Sequence, residues 1–218
     1  MKYKISLSLS ALCFFMAFLL LLSCRMAAGE QLAASISPKI LRFHVLAEDN
    51  SPRNQELKLE VKSLLLSYIQ EHSPKNAGKE ELSHWLLEEK EVLEQLASEL
   101  LLSKGASPAV SLQLAHDHFP TKTYGSVTFP GGTYDALRIV IGNGNGKNWW
   151  CVLYPSLCAP DAVQPSMPEA SQATLDSLLP DPQYKALLPR PALLPDIKYK
   201  KPEIRVRLRL SQLFNFDA

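Results

Sequence analysis

The chain has 218 residues, 46% of them hydrophobic and 21% charged, with a formal net charge of +1. That apolar content excludes a wholly disordered chain, and the length suffices for one domain with a real core plus extensions. The near-zero charge argues against a dedicated nucleic-acid binder, and four cysteines allow one bridge but not a disulfide-built scaffold.

Lys2 and Lys4 precede an uncharged, Leu- and Phe-rich run from Ile5 to Leu22. A short basic segment followed by an apolar stretch is the layout of an export signal. As a helix the run spans about 27 Å, enough to cross a bilayer. Ala27-Ala28-Gly29 offers small residues for a signal peptidase, and Leu21-Leu22-Ser23-Cys24 forms a weak lipoprotein box in which Cys24 would be acylated. Residues 1–29 therefore read as a signal peptide or membrane anchor, with cleavage, retention and lipidation all open.

Leu41 to Ala47 alternates, with Leu41, Phe43, Val45 and Ala47 on one side, which predicts a half-buried strand. Ser51-Pro52 then supplies an N-cap hydroxyl and a proline at the first helical position. Leu57, Val61, Leu64, Leu65 and Tyr68 recur at helical spacing, so the pattern predicts an amphipathic helix over 52–71. A second helix is expected over 79–104, with Leu82, Trp85, Leu86, Leu93, Leu96, Leu100 and Leu101 as its buried stripe and seven glutamates on its solvated face. Val110, Leu112 and Leu114 begin another alternating run that ends in His116, Asp117 and His118. The two histidines are spaced to share a metal, but no third ligand stands near them, and a strand end entering solvent is the simpler reading.

Phe119 to Gly125 reads as a loop, Val127 to Phe129 as a short extended piece and Tyr134 to Ile141 as the strongest strand. The glycine-rich run Gly142 to Asn148 invites a phosphate-cradle reading and fails it. The glycine spacing is wrong, Asn148 stands where a P-loop needs Ser or Thr, and no amphipathic helix follows. A mobile polar loop presenting Trp149 and Trp150 is expected instead, either as a recognition surface or with one or both tryptophans capping the core. In an exported chain Cys151 and Cys158 can form a disulfide, closing a loop worth roughly 2–2.5 kcal/mol; two buried free thiols are the alternative.

Nine of the sixteen prolines lie after residue 159. Residues 159–202 show no sustained periodicity and read as a linker-like, partly disordered segment. The chain then alternates cleanly through Ile204, Val206, Leu208 and Leu210, with Arg205, Arg207 and Arg209 between them, so 203–212 is expected to return to the sheet as a last strand. The eight Lys and Arg from Lys185 to Arg209 suit a solubilising edge, an anionic membrane or an acidic partner. Overall the pattern predicts an α+β fold: a mainly antiparallel sheet with amphipathic helices 52–71 and 79–104 packed on one face.

Leu41 to Ala47 with Ser51-Pro52 and Leu57-Lys58-Leu59, then Phe119 to Gly125, Tyr134 to Arg138 and Asn148-Trp149-Trp150-Cys151 with Cys158 seven positions on, together resemble the stage II sporulation protein R family over residues 39–158. Departures are Glu48-Asp49-Asn50 after the first strand and Tyr154-Pro155-Ser156 near the end. The resemblance implies an exported signalling protein of endospore-forming bacteria. It would cross the forespore membrane and activate a membrane-embedded aspartic protease that processes the sigma factor E precursor. It implies no catalytic residues, cofactor or metal of its own. Trp149 and Trp150 are the candidate anchors for the receptor, with Arg42, Lys122, Tyr124 and Asn148 as polar partners. Two other classes compete with this reading. An envelope structural component or lipoprotein rests on Cys24. A secreted hydrolase would draw on His44, His116, His118, Asp117 and Asp135, without a Gly-x-Ser-x-Gly elbow or a His-Glu-x-x-His pair.

Overall fold

A computed structural model describes residues 2–107, 109–158 and 169–189. Helix α1 runs unbroken over Lys2–Ile36, and a 3₁₀ turn at Ser37–Lys39 leads into strand β1, Leu41–Leu46. Leu12, Phe14, Phe15 and Phe18 of α1 are exposed, whereas Ala33 and Ile36 near its end are fully buried in the body. By length and composition α1 is able to cross a membrane, with a mean hydropathy of 2.1 in its most apolar window.

Helix α2, Pro52–His72, starts where the capping residues place it: the Ser51 hydroxyl accepts from the Asn54 N–H at 3.3 Å. Its buried stripe is Leu57, Val61, Leu65, Leu66 and Ile69. The single helix expected over 79–104 is two, α3 at Lys79–Glu88 and α4 at Lys90–Ser103. The correction is one residue wide. Glu89 still donates to the Trp85 carbonyl at 2.9 Å and accepts from Leu93 at 2.9 Å, so the apolar stripe continues across the bend.

Strands β2 (Val110–Phe119), β3 (Lys122–Tyr124), β4 (Val127–Phe129), β5 (Gly132–Ile141) and β6 (Asn148–Tyr154) follow. The main sheet has the order β2-β5-β1-β6, and β3 and β4 form a separate hairpin ribbon. Only β1 with β5 is parallel; β2 with β5 and β1 with β6 are antiparallel. The α+β architecture and its mainly antiparallel sheet are therefore as expected. One sheet face, carrying Leu112, Ile139, Phe43, Val45 and Trp149, is covered by α2 and α4. On the opposite face the β3–β4 ribbon and the end of α1 cover one half, and no other described residues cover the second half. At the junction a β-carbon on Gly132 would run into the β-carbon of Ala33, so helix and strand touch backbone to backbone.

Two further helices, α5 at Glu169–Leu178 and α6 at Asp181–Leu187, stand inside the segment expected to be linker-like. They are docked: Leu175, Leu179 and Leu187 are buried, and Lys39 donates to the Leu178 carbonyl at 2.8 Å. The expected strand over 203–212 and the rest of the proline-rich segment lie outside the described residues.

Candidate functional site

The alternation of β1 turns Arg42 and His44 away from the helices, and the register then sets their neighbours. Across the four strands Gln113 lies opposite Arg138, Arg138 beside His44, and His44 opposite Trp150. Asp117, two pairs along β2, ties this row together. It accepts from Arg138 Nη1 at 3.0 Å through one carboxylate oxygen and meets His44 Nε2 at 2.9 Å through the other. Arg138 Nη2 also donates to Gln113 Oε1 at 2.6 Å. The His44 ring stacks on Trp150, centroids 4.9 Å apart and 3° from parallel, and Phe119 packs edge-on to both.

Beneath this row Arg42 is fully buried in an aromatic box. Its guanidinium carbon lies 4.5 Å from the centroid of Phe119, 5.1 Å from Tyr134, 5.4 Å from Phe129 and 5.8 Å from Tyr124. Nε donates to the Cys151 carbonyl at 3.0 Å and Nη2 to the Tyr124 hydroxyl at 3.1 Å. The quadrupoles of the rings stand in for the water the cation has lost. Burial lowers the Arg42 pKa and raises those of Tyr124 and Tyr134, the latter to about 12, so both phenols stay neutral.

His44 sits between a carboxylate and an aromatic ring. Burial pushes its pKa down, against the pull of Asp117, and favours the neutral ring. One nitrogen faces Asp117, and the Asn148 side chain lies beside the ring. Trp150 covers one ring face. His44, Asp117, Arg138 and Trp150 come one from each of the four strands, so the group clamps the sheet across its width.

The six candidate contact residues are divided by the fold. Arg42 and Tyr124 are buried in the box, and Trp149 points to the helical side, where it meets Phe43 edge-on at 6.0 Å and Lys62 lies 5.0 Å above its ring. Lys122, Asn148 and Trp150 are half-buried and present surface. Trp150 and Asn148 share the open half of the sheet face with Arg138, Val140, Leu46, Ser111 and Gln113, all at least partly exposed. Below that surface the atoms Asn148 Oδ1, Arg138 Nε and His44 Nδ1 are buried without a hydrogen-bond partner among the described residues. Arg138 escaped the sequence reading, although strand alternation puts it on the same face as Ala136 and Tyr134.

The glycine run is not the mobile loop expected. Asn143 donates from its backbone and side chain to the Glu48 carboxylate at 2.9 and 2.7 Å, and Asn145 and Gly146 donate to the backbone of Glu48 and Ala47. Lys147 N–H reaches Asn50 Oδ1 at 2.8 Å, and Lys58 Nζ reaches the Lys147 carbonyl at 2.9 Å. Gly142 adopts φ +56°, and a β-carbon there would collide with the Glu48 carboxylate. The loop locks the end of β1 to the start of β6.

Cys151 and Cys158 form a disulfide, and Leu157 N–H donates to the Val152 carbonyl at 3.1 Å across the loop it closes. Cys24 is exposed on α1 with a free thiol. His116 Nδ1 pairs with Asp135 at 2.5 Å and His118 is exposed; no group of three metal-ligating side chains forms among the described residues.

The model of one family, described as stage II sporulation protein R, matches residues 37–164, from the end of α1 through the sheet, helices α2 to α4 and the disulfide. The stage II sporulation protein R of Bacillus subtilis (strain 168) is 30% identical over 164 residues, covering 72% of this chain and 73% of that protein. No solved structure matches. The matched span contains the whole clamp of His44, Asp117, Arg138 and Trp150, and with it the chain belongs to the stage II sporulation protein R family.

Proposed function

We propose that this protein is the exported signal of sporulation that switches on a membrane-embedded aspartic protease, which then processes the sigma factor E precursor. The observation that carries the reading is the join of α1, an apolar helix of export type, to a body belonging to a sporulation family. The protein acts by binding: it favours the active conformation of the receptor by as much as it binds that conformation more tightly than the inactive one. The open half of the sheet face is the contact surface. Trp150 is its aromatic anchor, fixed in place by the stacked His44, with the half-buried side chains of Arg138 and Asn148 around it.

The test is co-expression with the protease and the sigma factor precursor in a non-sporulating host, with cleavage read on a gel. Cleavage is expected only when this protein is present. Trp150→Ala is expected to reduce it about 30-fold or more, the loss of a hot spot worth about 2 kcal/mol. Absence of cleavage with all three proteins stably expressed would sink the activator reading. Unchanged cleavage by a Trp150→Ala protein of lowered thermal stability would move the contact surface elsewhere.

A further inference from the structure

The two outer edges of the main sheet are finished differently. At β6 the outward Val152 carbonyl is taken by Leu157 of its own disulfide loop, and the Trp150 carbonyl lies 3.5 Å from the Tyr124 hydroxyl. At β2 the odd-numbered residues face β5; Ala109, for example, accepts from Gly142 at 2.7 Å. The even-numbered residues point outward. Leu112 N–H is capped by Glu94 Oε1 at 2.7 Å, and beyond it the backbone groups of Leu114, His116 and His118 have no partner among the described residues. Such an edge is a template for one more strand.

A groove runs beside this edge on the helical side of the sheet, about 430 Å³ in volume, with Leu87 and Leu114 as its accessible apolar side chains and Lys79, Asp135, His84 and His116 among its polar ones. Leu87 is 54% exposed, an apolar side chain over a space that no described residue fills. An added strand would place every second side chain on this face beside Leu114 and the others on the opposite face beside Gln113.

We propose that residues 203–210 occupy this edge as a fifth strand antiparallel to β2, with Ile204, Val206 and Leu208 over the groove and Arg205, Arg207 and Arg209 on the opposite face. The sequence has the required period of two and the required split between apolar and charged sides. The arginines then guard the new edge against further pairing. Geometry allows the connection. Helix α6 packs against α1 and β4, at the end of the sheet where β2 finishes, and fourteen residues separate Pro189 from Ile204, enough for about 50 Å of extended chain. Pro202 stands just before the strand, where its missing N–H costs no ladder bond.

Hydrogen exchange with mass spectrometry tests this on the full-length chain in detergent micelles. Peptides covering 112–118 are expected to exchange at least tenfold faster when residues 203–218 are removed, with peptides of β1 unchanged. Val206→Asp in the full chain is expected to reproduce the effect, which keeps the test valid should the truncated chain fold poorly. Equal exchange in all three proteins would overturn the proposal, as would loss of protection at β6 in place of β2. Protection that rises with protein concentration alongside a dimeric mass would assign the edge to a second copy and overturn the intramolecular strand.

Discussion

Along β1, Leu41, Phe43 and Val45 point toward the helices, while Arg42 and His44 point toward the ribbon and the open sheet face. Both sets are buried, yet they are stabilised by different physics. The helical side loses apolar surface to water and needs only matching volume. The ribbon side holds a cation and an imidazole in a ring of aromatic groups and depends on partners at fixed distances. The lesson is that burial alone does not identify a core. A buried arginine and a buried phenylalanine one residue apart answer to different substitutions.

The sharpest way to break the comparison is to cut one residue from each side. Phe43→Ala is expected to cost about 3–5 kcal/mol, as large-to-small changes in a packed core do. Arg42→Met is expected to cost only about 1 kcal/mol, since no carboxylate pairs with Arg42 among the described residues and its desolvation penalty departs with it. Urea unfolding of the two variants decides; equal losses would mean that the aromatic box contributes as much as the helical core.

Gly132→Ala should follow, at about 1–3 kcal/mol, because the added methyl must displace Ala33 from the sheet. Hydrogen exchange at residues 32–36 should rise with it. A neutral result would show that α1 already sits away from β5.

The smallest effect concerns pH. Burial lowers the folded-state pKa of His44 below its ordinary value of about 6.5, so the unfolded chain takes up this proton more readily. The group's contribution is fully present above pH 6.5 and is lost as pH falls from there through the folded pKa. Asp117 and Asn148 pull the pKa up and Arg138 pushes it down, without reversing the direction. Thermal melts at pH 7.5 and 5.5 should show a smaller acid loss for His44→Gln than for the parent. Equal losses would remove His44 from the account.

The elements most readable in the sequence were those whose side chains obey one period. Leu41 to Ala47, Ser51-Pro52 and the Leu57 to Leu65 stripe each encode a local structure that burial then reinforces. Helices α5 and α6 were hidden by the composition around them. Pro182 lies in the first turn of α6, so a proline that suggests a linker in bulk serves here as a helix start. The tryptophan pair was legible in kind but not in placement. Period two sends Trp149 and Trp150 to opposite faces once β6 is known to be a strand. The clamp was not legible, because Asp117 and His44 meet only through pairing between distant strands. The grip of Glu48 on Asn143 was equally invisible.

Helix α1 has no hinge between its exposed apolar stretch and the buried Ala33. From Leu22 to Ala33 the helix rises about 17 Å, and each residue advances it by about 100° of rotation. With the apolar stretch in a bilayer, the body is carried on a short shaft whose azimuth is written in the residue count. One residue inserted before Ala33 turns the Trp150 face by about 100° while moving it outward by only about 1.5 Å. Heading, more than reach, is what the length of this helix specifies.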